Sequence, residues 1–228
     1  CKLPHVVDTL SGVGERLFAR FPNPPPSALT AALRLLAARR LGAPLRGAVL
    51  LALAYGFGTM AWPYSATFFS EPLTALLVTG AVLAALRAAE DGRWTDVALA
   101  GLVAGAAGLA RPSAFIIVPL IGAYVAWRRL RAGGTQSGAL AALVYATAAT
   151  AAVGVSALSN WWRYGDGGDS GYGTVPLDAS MAEGLYGLLL SPGKSLFLYA
   201  PLAAVALVAA PAAFRRRPAE ALMLLGIV

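Results

Sequence analysis

Charge is what this chain has least of. Of 228 residues, 13% are charged, 58% are apolar, and the mean hydropathy is +0.66. A soluble domain carries about 25% charge. The shortage excludes an ordinary soluble enzyme, whose surface needs far more charge, and the apolar content excludes a disordered chain. Cysteine is nearly missing too: Cys1 stands alone, so no disulfide framework forms within the chain. The single histidine, His5, lies in a segment that assigns it no role. The charge that is present is mostly basic, 18 Lys and Arg against 11 Asp and Glu, net +7. It is strung between apolar runs, whereas a nucleic-acid binder gathers it on one face or in a tail, so no nucleic-acid partner is expected. A starting Met and a secretory signal are also missing. The last residues, Leu222-Met223-Leu224-Leu225-Gly226-Ile227-Val228, stand inside an apolar run, and the chain reads as a fragment of a longer integral membrane protein.

Residues 1–41 read as an N-terminal segment with one short helix. Prolines around Pro22-Asn23-Pro24-Pro25-Pro26 favour extended chain, and Ser27 is placed to cap a helix running to about Leu41. Residues 42–228 read as a transmembrane helical domain. Spans near the required length of about 20 residues fall at 46–64, 71–87, 139–159 and 195–214, and a last one opens near 219. As one helix, 96–127 would be about 48 Å long, too long for a core of about 30 Å. Arg111-Pro112 stands at its middle, and Pro disfavours helix in the residue before it, so a hairpin turning at Arg111 is predicted. The expected fold class is all-α, a polytopic transmembrane bundle of about six to seven helices.

The hairpin also sorts the charge. Arg34, Arg39, Arg40, Arg46, Arg87, Arg93, Arg128, Arg129, Arg131, Arg215, Arg216 and Arg217 fall on one side, and only Arg111, Arg163 and Lys194 on the other. The positive-inside rule puts the first group in the cytoplasm and predicts a multi-pass protein of a bacterial inner or plasma membrane. The opposite side receives 62–70, the Arg111 turn and a long extracytoplasmic loop at 160–194.

Any chemistry is expected on that opposite side. Glu71 stands between two spans, where an ionisable group is a functional candidate by default; the alternative is a helix start, with Ser70 or Glu71 ahead of Pro72. Arg111 and Lys194 suit phosphate, or snorkelling to lipid headgroups. The 160–194 loop holds five aromatics, four carboxylates and eight glycines. Its length suits a sugar- or headgroup-binding surface, and its Trp and Tyr suit plain interface anchoring. Asp166 and Asp169 have a spacing open to a divalent cation, but a solvated turn is the better reading, so neither metal nor cofactor is expected.

Several stretches resemble the bacterial GT-C membrane glycosyltransferases, relatives of protein O-mannosyltransferases and of the lipid A aminoarabinose transferase. They are Ala61-Trp62-Pro63-Tyr64-Ser65-Ala66-Thr67-Phe68-Phe69-Ser70-Glu71-Pro72-Leu73, the glycine-rich run 101–112 ending in Arg111-Pro112, and Asn160-Trp161-Trp162-Arg163-Tyr164-Gly165. The most specific is Ser191-Pro192-Gly193-Lys194-Ser195-Leu196-Phe197-Leu198-Tyr199-Ala200-Pro201, in which Ser195 replaces the usual glycine. The resemblance covers about 42–228. It implies an inverting transfer of sugar from a polyprenyl-phosphate donor to a hydroxyl of a glycan, lipid or protein acceptor, at the extracytoplasmic face. It implies Glu71 as the catalytic candidate and Tyr64, Arg111, Asn160, Trp161, Lys194 and Tyr199 as substrate-binding candidates. The family's usual base is an acid in a first outer loop. This chain has no matching helix before residue 42, so Glu71 becomes a supporting residue if that acid is supplied upstream. The alternative function is a multi-span transporter or flippase of lipid-linked or small solutes, which predicts inverted repeats and midplane charges; neither is visible. A structural membrane subunit would need no site.

Overall fold

The structure is a computed structural model that describes residues 22–67, 69–168, 180–193 and 195–227, and among the described residues every regular element is helical. The first helix, α1 (Pro24–Arg40), begins inside the proline run expected to be extended. The first backbone N–H groups of a helix have no partner in it, so prolines there lose nothing and arrive with a suitable φ. Asn23, not Ser27, holds the N-cap position, and the Ser27 hydroxyl donates back to the Asn23 carbonyl at 3.0 Å.

A turn at Gly42 (φ +86) leads into α2 (Leu45–Gly58), and α3 (Ala61–Ser65) follows. The single span expected at 46–64 is therefore broken. Gly56 and Gly58 weaken the helix, and Thr59 interrupts it: its hydroxyl donates to the Tyr55 carbonyl (2.7 Å) and accepts from the Ala61 N–H (3.2 Å).

The centre of the bundle is α4 (Glu71–Glu90), α5 (Trp94–Ala110) and α6 (Ile117–Tyr164). The chain leaves α5 at Arg111, which is extended (φ −154, ψ 118), and enters α6 through a 3-10 turn at Pro112–Ile116. The break stands at the predicted position. Within α6, Gly134 has φ +78 and folds the helix on itself. The Tyr145 hydroxyl of the returning arm donates to the Val118 carbonyl of the outgoing one at 2.8 Å. Arms 117–133 and 135–164 are thus antiparallel.

The returning arm lies directly on α5. A Cβ on Gly105 would stand 2.6 Å from the Ala149 carbonyl oxygen, and one on Gly101 would collide with the Tyr145 carbonyl. Small residues let the two backbones touch, as in membrane helix pairs. The partner numbers rise together, so α5 and the returning arm run parallel. Arg111 and the last turns of α6 therefore share one end of the bundle. The core between these helices is rich in alanine, with Leu86, Val97, Ile121 and Val125 as its large fully buried members.

The rest of the described chain is α7 (Met181–Leu189), α8 (Leu196–Tyr199), α9 (Leu202–Arg216) and α10 (Pro218–Ile227). The span expected at 195–214 is split at Ala200 (φ −139, ψ 70), because Pro201 disfavours helix in the residue before it. The polar loop expected at 160–194 is helical through Tyr164 and again in α7.

Among the described residues two helical stretches are long and apolar enough to cross a membrane, Glu71–Glu90 and Pro112–Tyr164. That is fewer than the six to seven expected. Leu45–Gly58 is apolar but has 14 residues, short of a full crossing at 1.5 Å per residue; Trp94–Ala110, with 17, stands at the lower limit, and Pro218–Ile227 is a further shorter apolar helix. Within the second stretch the outgoing and returning arms, expected as separate spans, are two helices that meet at Gly134, whose backbone is not helical (φ 78, ψ −175).

Candidate functional site

The bundle has two chemically different ends. At one, the turn at Gly42 meets Arg217 and the turn at Gly92 meets Arg129. Arg40 pairs with Glu90 (3.1 Å) and Asp91 (2.9 Å), and Arg217 reaches Glu90 at 3.7 Å. Arg129 stacks on Trp94 and donates to the Gly92 carbonyl at 2.8 Å. Glu220, only 6% exposed, sits between the Tyr124 hydroxyl (3.3 Å) and Arg128 (3.7 Å). The Arg40 guanidinium, bonded to Asp91, holds that carboxyl below the usual carboxylate range.

The other end carries the candidate residues. Glu71 occupies the first turn of α4, where the positive helix end favours an anion. Arg111 reaches it from the turn after α5, with Nη1 2.5 Å from Oε1. Each side chain is brought there by a proline: Pro72 suits the start of α4, and Pro112 ends α5 at the residue before it. The second carboxylate oxygen, Oε2, is buried and has no hydrogen-bond partner among the described residues. The pair thus offers one oxygen engaged by a guanidinium and one oxygen unengaged.

Tyr64, on α3, packs edge-on against Phe69 with ring centroids 5.8 Å apart. Phe69 stands two residues before Glu71. Asn160 and Trp161 lie on the last turns of α6, at the same end of the bundle, and no described contact joins them to the Glu71–Arg111 pair. Trp161 is exposed. Lys194 and the Tyr199 side chain lie outside the described residues, as does Asp169. Asp166 accepts from the Gly168 N–H at 2.9 Å, closing a local turn.

One polar residue at this end went unnoticed in the sequence. Asn23 is 5% exposed, and its carboxamide donates to the carbonyls of Thr67 and, at 2.8 Å, of Phe69. It ties the segment leading to Glu71 onto the start of α1. The only signal for it was a lone amide within the proline run. Beside it an apolar groove of about 310 Å³ runs between α1, α2 and α3, lined by Pro24, Ala31, Leu53, Phe57 and Trp62 among others.

Comparison with protein families, with curated proteins and with solved structures finds no match for this chain.

Proposed function

We propose that the chain belongs to a multi-pass glycosyltransferase of a bacterial plasma membrane, which moves a sugar from a polyprenyl-phosphate donor to an acceptor hydroxyl at the extracytoplasmic face. The observation that carries this reading is the Glu71–Arg111 pair with its unengaged Oε2. One oxygen of the carboxylate is held by Arg111 and the other has no partner among the described residues. A general base takes up a proton at such an oxygen.

In this reading the acceptor hydroxyl attacks the anomeric carbon and gives its proton to Glu71 Oε2. The bond between that carbon and the lipid phosphate breaks with inversion, and the phosphate leaves as an anion. Arg111 has five N–H donors and uses only part of them on Glu71, so others are free to bind the departing phosphate. The resemblance implies Lys194 as a second cation and Tyr199 as a further substrate contact. In this reading Tyr64, Asn160 and Trp161 serve the sugar and acceptor, and the apolar groove beside α3 takes part of the isoprenoid chain. No metal or cofactor is needed. The exposed apolar side chains of α2, α6 and α9 suit contact with lipid.

Sugar transfer from a polyprenyl-phosphate donor, measured in membranes of cells expressing the full-length gene, tests it. Glu71→Gln keeps the shape and loses the base, and transfer should fall by about 10²–10⁴-fold. Arg111→Ala should also reduce it. If both variants transfer at the parent rate, the pair is a latch between α4 and α5 and the assignment is wrong.

A further inference from the structure

The long connection between α6 and α8 contains a helix with no place in the bundle. None of the nine residues of α7 (Met181–Leu189) is buried. Its apolar side chains nevertheless fall on one face more sharply than in any other described helix of nine residues or more. Met181, Leu185, Leu188 and Leu189 follow the i, i+4, i+7, i+8 spacing of one stripe, with Glu183 and Gly187 on the opposite side. Met181 is 82% exposed, and Leu185, Leu188 and Leu190 are exposed with it. Such a stripe in water has no stabilising partner.

The chain on either side of α7 says what covers the stripe. The returning arm of α6 is long enough to reach from one bundle end to the other and beyond, and it finishes in Trp161, Trp162 and Tyr164, all exposed, with Trp162 at 82%. Trp and Tyr at the end of a membrane-length helix mark the headgroup level. On the other side, Leu189 is tied to the next element, its carbonyl accepting from the Ser195 hydroxyl at 2.9 Å; α8 and the apolar α9 follow. In the membrane reading the aromatic end of α6 and the apolar α9 put the described chain before and after α7 at a bilayer surface. The helix carries a single charge, Glu183, so its partner is an apolar surface that does not demand cationic binding, unlike the Lys/Arg-rich helices that seek anionic lipid.

We infer that α7 is an interfacial helix, lying along the membrane surface at the Glu71–Arg111 end with the Met181–Leu185–Leu188–Leu189 stripe buried in the headgroup–acyl boundary. This rests on the membrane placement proposed above. Its covalent connection to the two membrane-seated helices raises its local concentration at that surface, so a helix too short to bind alone remains docked.

Site-directed spin labelling of the full chain tests this in phosphatidylcholine vesicles. With Cys1→Ser, single labels are placed at Leu185→Cys, Leu188→Cys, Glu183→Cys and Gly187→Cys. A further label at Leu143→Cys, exposed on the returning arm, reports the membrane placement itself. Collisions with oxygen and with a water-soluble nickel chelate should place the labels at 185 and 188 about 5–10 Å below the boundary. The labels at 183 and 187 should stand in water. Excess negatively charged lipid or added salt should change neither. A lipid-exposed Leu143 with water on both faces of α7 overturns the inference and leaves the membrane reading intact. Labels at 185 and 188 shielded from both reagents mean a protein cover, and overturn it equally. A Leu143 label outside lipid overturns the membrane reading and the inference together.

Discussion

The two ends of the bundle treat their acids in opposite ways. At the basic end Glu90, Asp91 and Glu220 are all bonded to arginines, and Glu90 is shared by two of them, Arg40 and Arg217. These contacts join α1, α4, α6, α9 and α10, and they read as fasteners. At the other end one acid meets one arginine, and half of the carboxylate is left over. Charge at the first end is numerous and mostly paired, although the Nε atoms of Arg87 and Arg129 are buried there without a partner among the described residues. Charge at the second is scarce, and there it is an acid that keeps an oxygen without a partner among the described residues.

The sharpest way to break this contrast is to neutralise one acid at each end. Glu71→Gln should reduce the proposed transfer by about 10²–10⁴-fold and leave the melting temperature nearly unchanged, since a half-exposed ion pair contributes little to stability. Glu220→Ala should do the reverse. It leaves Tyr124 without its acceptor and removes the partner of Arg128, at about 1–3 kcal/mol. Thermal melts and transfer per folded molecule, measured on the same preparations, read both. Equal effects of the two substitutions on both quantities would erase the distinction between the ends.

Asn23→Ala sharpens it from another side. The carbonyls of Thr67 and Phe69 lose their donor, which costs about 1–3 kcal/mol, and the segment before Glu71 loses its tie to α1. Lower stability together with reduced transfer is expected. Normal transfer in the folded fraction would show that Glu71 keeps its place without Asn23.

The smallest effect concerns acid. Asp91 is held below its ordinary range by Arg40, so its contribution is complete above the unfolded carboxylate value near 3.9 and disappears as pH falls through the lower folded value. Melting temperature in detergent should therefore decline more steeply below about pH 4 in the parent than in Asp91→Asn. Parallel curves would show that the pair contributes nothing.

The turn at Arg111-Pro112 could be read directly, because Pro acts on its neighbour, and Arg40, Arg128, Arg129 and Arg217 share one end of the bundle because the apolar runs between them fold back and forth as helices. The exact helix lengths could not be read. Thr59 and Pro201 each cut an apolar run that hydropathy treats as continuous, and the cut is made by a hydroxyl bonding to backbone or a missing N–H, neither of which lowers hydropathy. Pro24–Pro26 misled in the other direction: a proline run favours extended chain except in the first turn of a helix. At the candidate site, Glu71 and Arg111 were each visible as isolated charges. Their pairing depends on α4 and α5 being adjacent and antiparallel, which spacing alone does not reveal. Asn23 was invisible because its partners are backbone carbonyls more than forty residues away.

The fastening of the basic end has a consequence for biogenesis. Arg217 contacts Glu90, and Glu220 contacts Tyr124 and Arg128, although the partners lie far apart in the chain. A growing polypeptide folds from its N-terminus as it emerges, so α1, α4 and α5 can assemble around Arg40, Glu90 and Asp91 before the later residues exist. Closure waits for α10. Until Arg217 and Glu220 have been synthesised, Glu90 holds one arginine instead of two and Arg128 has no acid, and an intermediate caught at that stage should be open at its basic end and already ordered around Glu71.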